Sequence, residues 1–181
     1  MCTFTTNRLS IRRFQSDDWK DLFEYLSDEA VVQFEPYDVF DEQASQNEAA
    51  RRAGDQAFWA VCLKDTGKLI GNIYFEQQRP EQFLTWELGY VFNRKYWGNG
   101  YAAESCRRII EHGFTQYGAR RIIAMCNPEN ENSWRLLERL GMRREAHLKQ
   151  SVYFKFDKQG NPIWNDTYTY AMLREEWPAD A

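Results

Sequence analysis

The chain has 181 residues, of which 43% are hydrophobic and 16% aromatic, and this composition excludes a disordered or low-complexity protein. It carries 23 lysines and arginines against 27 acids, a net charge of −4 that argues against a dedicated nucleic-acid-binding protein. No apolar run reaches the roughly 18 residues that span a membrane, and the N-terminus lacks a signal-peptide pattern. We therefore expect one domain over residues 1–181, in the cytoplasm, without a membrane or nucleic-acid partner.

The cysteines are spread along the chain and form no Cys-x-x-Cys pair, and only two histidines could join them at a metal. They are Cys2, Cys62, Cys106 and Cys126. We expect free thiols and no metal site.

Acidic residues are concentrated near the N-terminus, where residues 1–50 hold 11 acids against 4 bases. This region could attract a cationic ligand. It could equally be the solvated face of surface helices.

The first half of the chain predicts strands interrupted by two helices. Alternating apolar residues predict a first strand over residues 8–14, and a helical period follows, with a second helix over residues 41–53. Three strands over residues 58–64, 69–78 and 83–92 then suit antiparallel hairpins.

The second half alternates helices and strands. We predict a helix over residues 101–117, a strand over 120–127, a helix over 132–140 and closing strands over 145–156 and 164–173. The order predicts a mixed α/β sheet with helices on its faces. The helix between the fourth and fifth predicted strands makes those two strands parallel.

The stretch RKYWGNGYAAES, residues 94–105, connects the fourth predicted strand to a helix through two glycines. A P-loop needs Gly-Lys-Ser/Thr and a dinucleotide fingerprint needs GxGxxG, and neither pattern is present. Two interpretations remain. Small residues could let backbone N–H groups approach a phosphate at a helix start, or the stretch is a tight turn without a ligand.

Four segments, in order, carry a family resemblance: TNRLSIRRFQSDD, ELGYVFNRKYWGNGYAAE, NPENENSWRLLERLGM and WNDTYTYAMLREEW. Together they resemble the GNAT superfamily of acetyl-CoA-dependent N-acetyltransferases, and within it the RimJ/RimL-like branch that includes ribosomal-protein N-terminal acetyltransferases. The resemblance implies the GNAT fold, a mostly antiparallel mixed sheet of about seven strands with helices on both faces and a split between strands four and five. Dimers are common in this family, so the resemblance also makes a homodimer an expectation.

The resemblance implies acetyl-CoA as co-substrate. Its pyrophosphate would lie in the loop formed by Trp97, Gly98, Asn99, Gly100, Tyr101 and Ala102. The strand end Tyr90, Val91 and Phe92 would splay from the next strand and offer backbone to the pantetheine and the acetyl carbonyl, and Asn130 would hydrogen-bond the pantetheine arm. Trp97 replaces the family's Gln or Arg. This change should have little effect on coenzyme binding, because the loop binds the pyrophosphate mainly through main-chain N–H groups.

Acetyl transfer to an amine needs a neutral amine, a stabilised oxyanion and a proton for the leaving thiolate. Glu87 on the fourth predicted strand could take the amine proton, or it could be a carboxylate paired with an arginine. The tyrosine that many family members use as general acid is replaced by Leu137. Ser133 matches a serine of the RimJ/RimL-like branch and could hydrogen-bond the coenzyme sulfur, or it could be a helix N-cap.

Other residues are open to more than one interpretation. Tyr90, Tyr153 and Asp166 could line the acceptor site or be structural. Glu104 could be catalytic, or it could be structural, since the helix dipole favours an acid in the first turn of a helix. Cys106 and Cys126 are typical core residues, and a cysteine acyl-enzyme is a weak alternative.

We expect direct attack of a primary amine on acetyl-CoA in a ternary complex. The acceptor is either a protein or peptide N-terminus or a small cationic amine such as an aminoglycoside or polyamine. Alternatives from other classes are a non-catalytic acyl-CoA-binding sensor and a nucleotide-dependent enzyme.

Overall fold

The computed structural model describes residues 3–178, and their strands form one eight-stranded sheet. The strands are β1 (Phe4–Thr5), β2 (Leu9–Arg13), β3 (Phe58–Leu63), β4 (Leu69–Gln77), β5 (Thr85–Phe92), β6 (Arg121–Cys126), β7 (Arg143–Phe156) and β8 (Pro162–Leu173). Their order across the sheet is β1, β2, β3, β4, β5, β6, β8, β7. The predicted mixed fold is confirmed, with β1 as a strand that the sequence did not predict.

Within the described part of the chain, five α-helices lie on the two faces of the sheet. They are α1 (Trp19–Leu26), α2 (Glu29–Val32), α3 (Glu42–Ala53), α4 (Tyr101–Thr115) and α5 (Glu131–Arg139). Helix α4 ends two residues earlier than predicted, and the four-residue α2 was not predicted.

The sheet splits between β5 and β6, which are the fourth and fifth predicted strands. These two strands pair in parallel at Thr85, Trp86 and Glu87 only, whereas β5 stays paired with β4 as far as Phe92. Beyond Glu87, one edge of β5 is therefore released from β6. The predicted parallel pair and the predicted split are both confirmed.

Each face of the sheet has its own apolar core. Leu88 of β5 packs in one cluster with Ile109 of α4 and Leu136 of α5. Val91 of β5 packs in the other cluster with Leu22 of α1 and the residues of α2. Because side chains alternate along a strand, Glu87 shares the α1–α3 face with Val91.

Acidic residues of α1 are bonded to lysines from later in the chain. Lys68 Nζ lies 2.8 Å from Asp21 Oδ1 and also bonds Glu24, while Lys95 Nζ lies 2.5 Å from Glu24 Oε1. The hydrogen bonds from Lys68 and Lys95 lower the pKa of Glu24 to about 2. Folding thus offsets part of the acidic bias of the first 50 residues.

Across residues 3–178, every helix is too short or too polar to cross a membrane. Cys62, Cys106 and Cys126 are free thiols, and Cys2 lies outside the described residues.

Candidate active site

Two glycines of the predicted loop have a left-handed backbone. The φ angle is +77° at Gly98 and +79° at Gly100. A Cβ at Gly98 would meet nothing within 4 Å, and one at Gly100 would lie 3.5 Å from Arg8 Nη2. The backbone conformation, not lack of space, therefore requires glycine at both positions.

The loop leads directly into the start of α4. Gly100 occupies the N-cap position without a side-chain cap, and Tyr101 is the first helical residue. The first N–H groups of a helix have no partner within the helix, and the helix dipole makes this end positive. With residues 97–100 exposed, the start of α4 fits a phosphate group such as the pyrophosphate of coenzyme A.

Side chains of the loop hold its backbone in place. Trp97 Nε1 donates to the carbonyl oxygen of Phe92 at 2.8 Å, and Asn99 Nδ2 donates to the carbonyl oxygen of Tyr96 at 3.2 Å. Trp97 thus ties the loop to the end of β5, a contact that the sequence did not predict.

Arg8 also supports the loop, from outside the predicted motif. Its Nη1 donates to the carbonyl oxygen of Asn99 at 3.0 Å, its Nε donates to Glu104 Oε2 at 2.7 Å, and its guanidinium stacks on the Tyr101 ring. Glu104 therefore has a structural role, joining the turn between β1 and β2 to the first turn of α4.

At the split, Tyr90 of β5 contacts the first turn of α5. The Tyr90 hydroxyl lies 3.0 Å from both the carbonyl oxygen and Oγ of Ser133. Burial raises the pKa of the Tyr90 phenol, so it stays protonated at neutral pH. Two hydroxyl groups thus meet beside the gap between β5 and β6.

The N-cap of α5 is Asn130, not Ser133. Asn130 Oδ1 accepts a hydrogen bond from the Ser133 N–H at 3.2 Å. The capping interpretation of Ser133 was therefore wrong, and its hydroxyl is turned toward Tyr90. Leu137, at the position of the missing tyrosine, is buried.

Glu87 lies at the point where β5 and β6 separate. It stands opposite Glu76 of β4 in the strand register and forms no salt bridge within residues 3–178. The alternative that Glu87 is a carboxylate paired with an arginine is therefore wrong. Burial raises the pKa of the Glu87 carboxyl, and the negative charge of Glu76 raises it further. A half-buried carboxylate with a raised pKa is suited to accept a proton.

The remaining acceptor-site candidates lie elsewhere. Asp166 accepts hydrogen bonds from Lys149 Nζ at 2.8 Å and the Gln150 N–H at 2.9 Å, which lower its pKa. It shares a face of β8 with Tyr170, which packs in the α4–α5 cluster, so it lies on the opposite face from Glu87. Tyr153 packs edge-on against Trp164 of that same face.

Cys106 and Cys126 are unsuited to nucleophilic catalysis. Cys106 is fully buried, and burial raises the pKa of Cys126 to about 11. Both groups are thus thiols at neutral pH, and the thiolate is the nucleophilic form. Within residues 3–178, metal-ligating side chains do not gather in groups of three or more.

Comparison with known proteins identifies the family of this chain. Residues 8–143 match the family model described as an acetyltransferase (GNAT) domain. The chain is 41% identical over 174 residues to the uncharacterized N-acetyltransferase YnaD of Bacillus subtilis, covering 96% of this chain and 98% of that protein.

Two solved structures show the same fold. A GNAT-family acetyltransferase from Bacillus anthracis superposes with a TM-score of 0.86 at 37% identity, covering 96% of this chain and 99% of the other. A ribosomal-protein-S5-alanine acetyltransferase from Vibrio fischeri has a TM-score of 0.79 at 20% identity, covering 98% and 100%, and this likeness concerns the fold alone. The chain therefore belongs to the GNAT acetyltransferase family and is an acetyl-CoA-dependent N-acetyltransferase.

Proposed function

We propose that this enzyme acetylates the α-amino group of a protein or peptide N-terminus by direct attack of the amine on acetyl-CoA in a ternary complex. The main support for this proposal is the environment of Glu87. This half-buried carboxylate lies beside the split and has no salt bridge within residues 3–178. A peptide is favoured over a polycation as the acceptor. Asp21 and Glu24 of α1 already form salt bridges with lysines, so their charges are neutralised and do not attract a polycation. The ribosomal-protein acetyltransferase from Vibrio fischeri has the same fold, so this fold can accommodate a protein N-terminus as acceptor.

Acetyl-CoA supplies the activated acyl group, and the chain supplies position and proton transfer. The N–H groups at the start of α4 and residues 97–102 bind the pyrophosphate. The released edge of β5, at Tyr90, Val91 and Phe92, presents backbone to the pantetheine arm, with Asn130 beside it on the facing helix.

Proton transfer is divided between two sides of the split. Glu87 takes a proton from the acceptor ammonium, directly or through water. Ser133 Oγ donates a hydrogen bond toward the sulfur, the Tyr90 hydroxyl, 3.0 Å away, keeps its own proton and positions Ser133, and the leaving thiolate takes its proton from water. This arrangement would replace the family tyrosine, whose position holds Leu137.

The test is release of free thiol from acetyl-CoA with peptides that have a free N-terminus, their N-acetylated twins, an aminoglycoside and a polyamine. Only the peptides with a free N-terminus should be acetylated. Glu87→Gln should lower kcat by about 100-fold or more, since general base catalysis typically contributes about 10²–10⁴, while acetyl-CoA binding is kept. Glu81→Gln, an exposed acid just before β5, is the matched control.

Faster turnover of the polyamine or aminoglycoside would refute the peptide acceptor. Coenzyme binding without turnover of any amine would favour a non-catalytic sensor, and stronger binding of ATP than of acetyl-CoA would favour a nucleotide-dependent enzyme.

A further inference from the structure

A cavity outside the residues assigned so far lies between the segment after α2 and the β7–β8 hairpin. Its walls include Phe34, Glu35, Asn127, Phe154, Lys155 and Asn165. Two aromatic side chains thus line the cavity together with polar side chains, among them one carboxylate and one ammonium group.

The position of this cavity places it beside the split. Asn127 directly follows the carboxyl end of β6, and its Nδ2 donates to Asn165 Oδ1 at 3.2 Å. On the other side, Val32 of α2 packs in the same apolar cluster as Val91, at the carboxyl end of β5. The cavity therefore borders the ends of the two strands that separate, where ligands of open α/β sheets commonly bind.

Glu35 is the carboxylate in this cavity. It is half-buried and forms no salt bridge with residues 3–178. Burial raises the pKa of Glu35 to about 7, an effect that the Tyr37 hydroxyl and the Arg52 guanidinium offset only in part. A desolvated carboxylate without a salt bridge is stabilised when a ligand brings a cation into direct contact with it.

We propose that Glu35 binds the ammonium group of the acceptor as it enters the split, and that the cavity takes a single ammonium group rather than a polycation. The inference rests on the proposed function and adds to it a residue that determines acceptor specificity. A second positive charge on the ligand would meet Lys155, which lines the same cavity. The rings of Phe34 and Phe154 suit an apolar side chain beside the amine.

The test measures binding without catalysis, by calorimetry on the protein saturated with free coenzyme A. The probes are an oligopeptide with a free N-terminal alanine, its N-acetylated twin and spermidine, and the proteins are wild type, Glu35→Gln and Asp38→Asn. Asp38 is the matched control because it carries the same charge on the same segment and is exposed. A thermal melt of each variant checks that it is folded.

We expect Glu35→Gln to weaken binding of the free peptide about tenfold or more, the scale of one charge-assisted hydrogen bond. Asp38→Asn should leave this affinity unchanged, and the N-acetylated twin should bind weakly to all three proteins. In turnover, Glu35→Gln should raise KM for the peptide without changing KM for acetyl-CoA.

Equal peptide affinity of the wild type and Glu35→Gln would overturn the inference, as would tighter binding of spermidine than of the peptide. Absence of peptide binding to the wild type would also overturn it, and acetyl transfer to another amine would then show that the transferase itself stands. Glu35-dependent binding without acetyl transfer would support the inference and overturn the proposed reaction.

Discussion

Replacing Gly98 with alanine should weaken acetyl-CoA binding, through backbone strain alone. At its φ of +77° a Cβ costs about 1–2 kcal/mol, and no atom within 4 Å of that Cβ adds a clash. Because the loop is exposed, it can relax to a negative φ in the free protein, and the coenzyme must then restore the strained form. An energy of about 1–2 kcal/mol corresponds to roughly a 5- to 30-fold rise in Kd.

Calorimetric titration with acetyl-CoA measures this change, and urea denaturation measures how much of the strain the free protein retains as a lower free energy of unfolding. The matched control is Gly118→Ala, which has a φ of +66°, equally open surroundings and a position beyond the far end of α4. It should lower the free energy of unfolding by about 1–2 kcal/mol without affecting Kd. An unchanged Kd for Gly98→Ala would refute the role of this loop conformation in coenzyme binding, and an equal rise in both variants would show a global effect.

Two further predictions concern the candidate site, tested by Glu76→Gln, and the core, tested by Gly113→Ala with Gly54→Ala as its control. Glu76→Gln removes the like charge opposite Glu87, so the pKa of Glu87 should fall. The acidic limb of the kcat/KM pH profile should then move to lower pH. An acidic limb at the same pH as in the wild type would count against Glu87 as the base. Gly113→Ala would place a Cβ 2.5 Å from the buried Phe75 ring. Overpacking costs about 1–3 kcal/mol, whereas the higher helix propensity of alanine contributes up to about 1 kcal/mol. Urea denaturation should therefore show a free energy of unfolding lower by about 1–2 kcal/mol. Gly54→Ala, with a Cβ 3.6 Å from the nearest atom, should stay within about 0.5 kcal/mol of wild type, and equal stability of both alanine variants would refute the clash.

Local patterns account for the elements that were predicted correctly. Period-two alternation marks the strand around Ile11, and a strand, a glycine turn and a helix in sequence locate the loop before α4. The two-residue β1 and the four-residue α2 are too short to show any period, so the sequence could not reveal them. Arg8 was missed because its partner Glu104 lies 96 residues away.

The α5 segment shows where local signals were ambiguous. Asn130 and Ser133 are both good capping residues, and sequence spacing alone did not separate them. The tertiary structure does, because Tyr90 comes from β5 to meet the Ser133 hydroxyl and leaves the cap to Asn130.

The sequence by itself determined the order of the strands and helices, the glycine turn before α4 and the position of Glu87 on the fourth predicted strand. Those features depend on neighbours within a few residues, whose steric and hydrophobic patterns act locally. Only the tertiary structure decided that Glu76 stands opposite Glu87, that Lys68 bonds Asp21, and that Glu35 lines a cavity beside the split. These facts depend on strand register and on contacts between distant segments, which no pattern of neighbouring residues specifies.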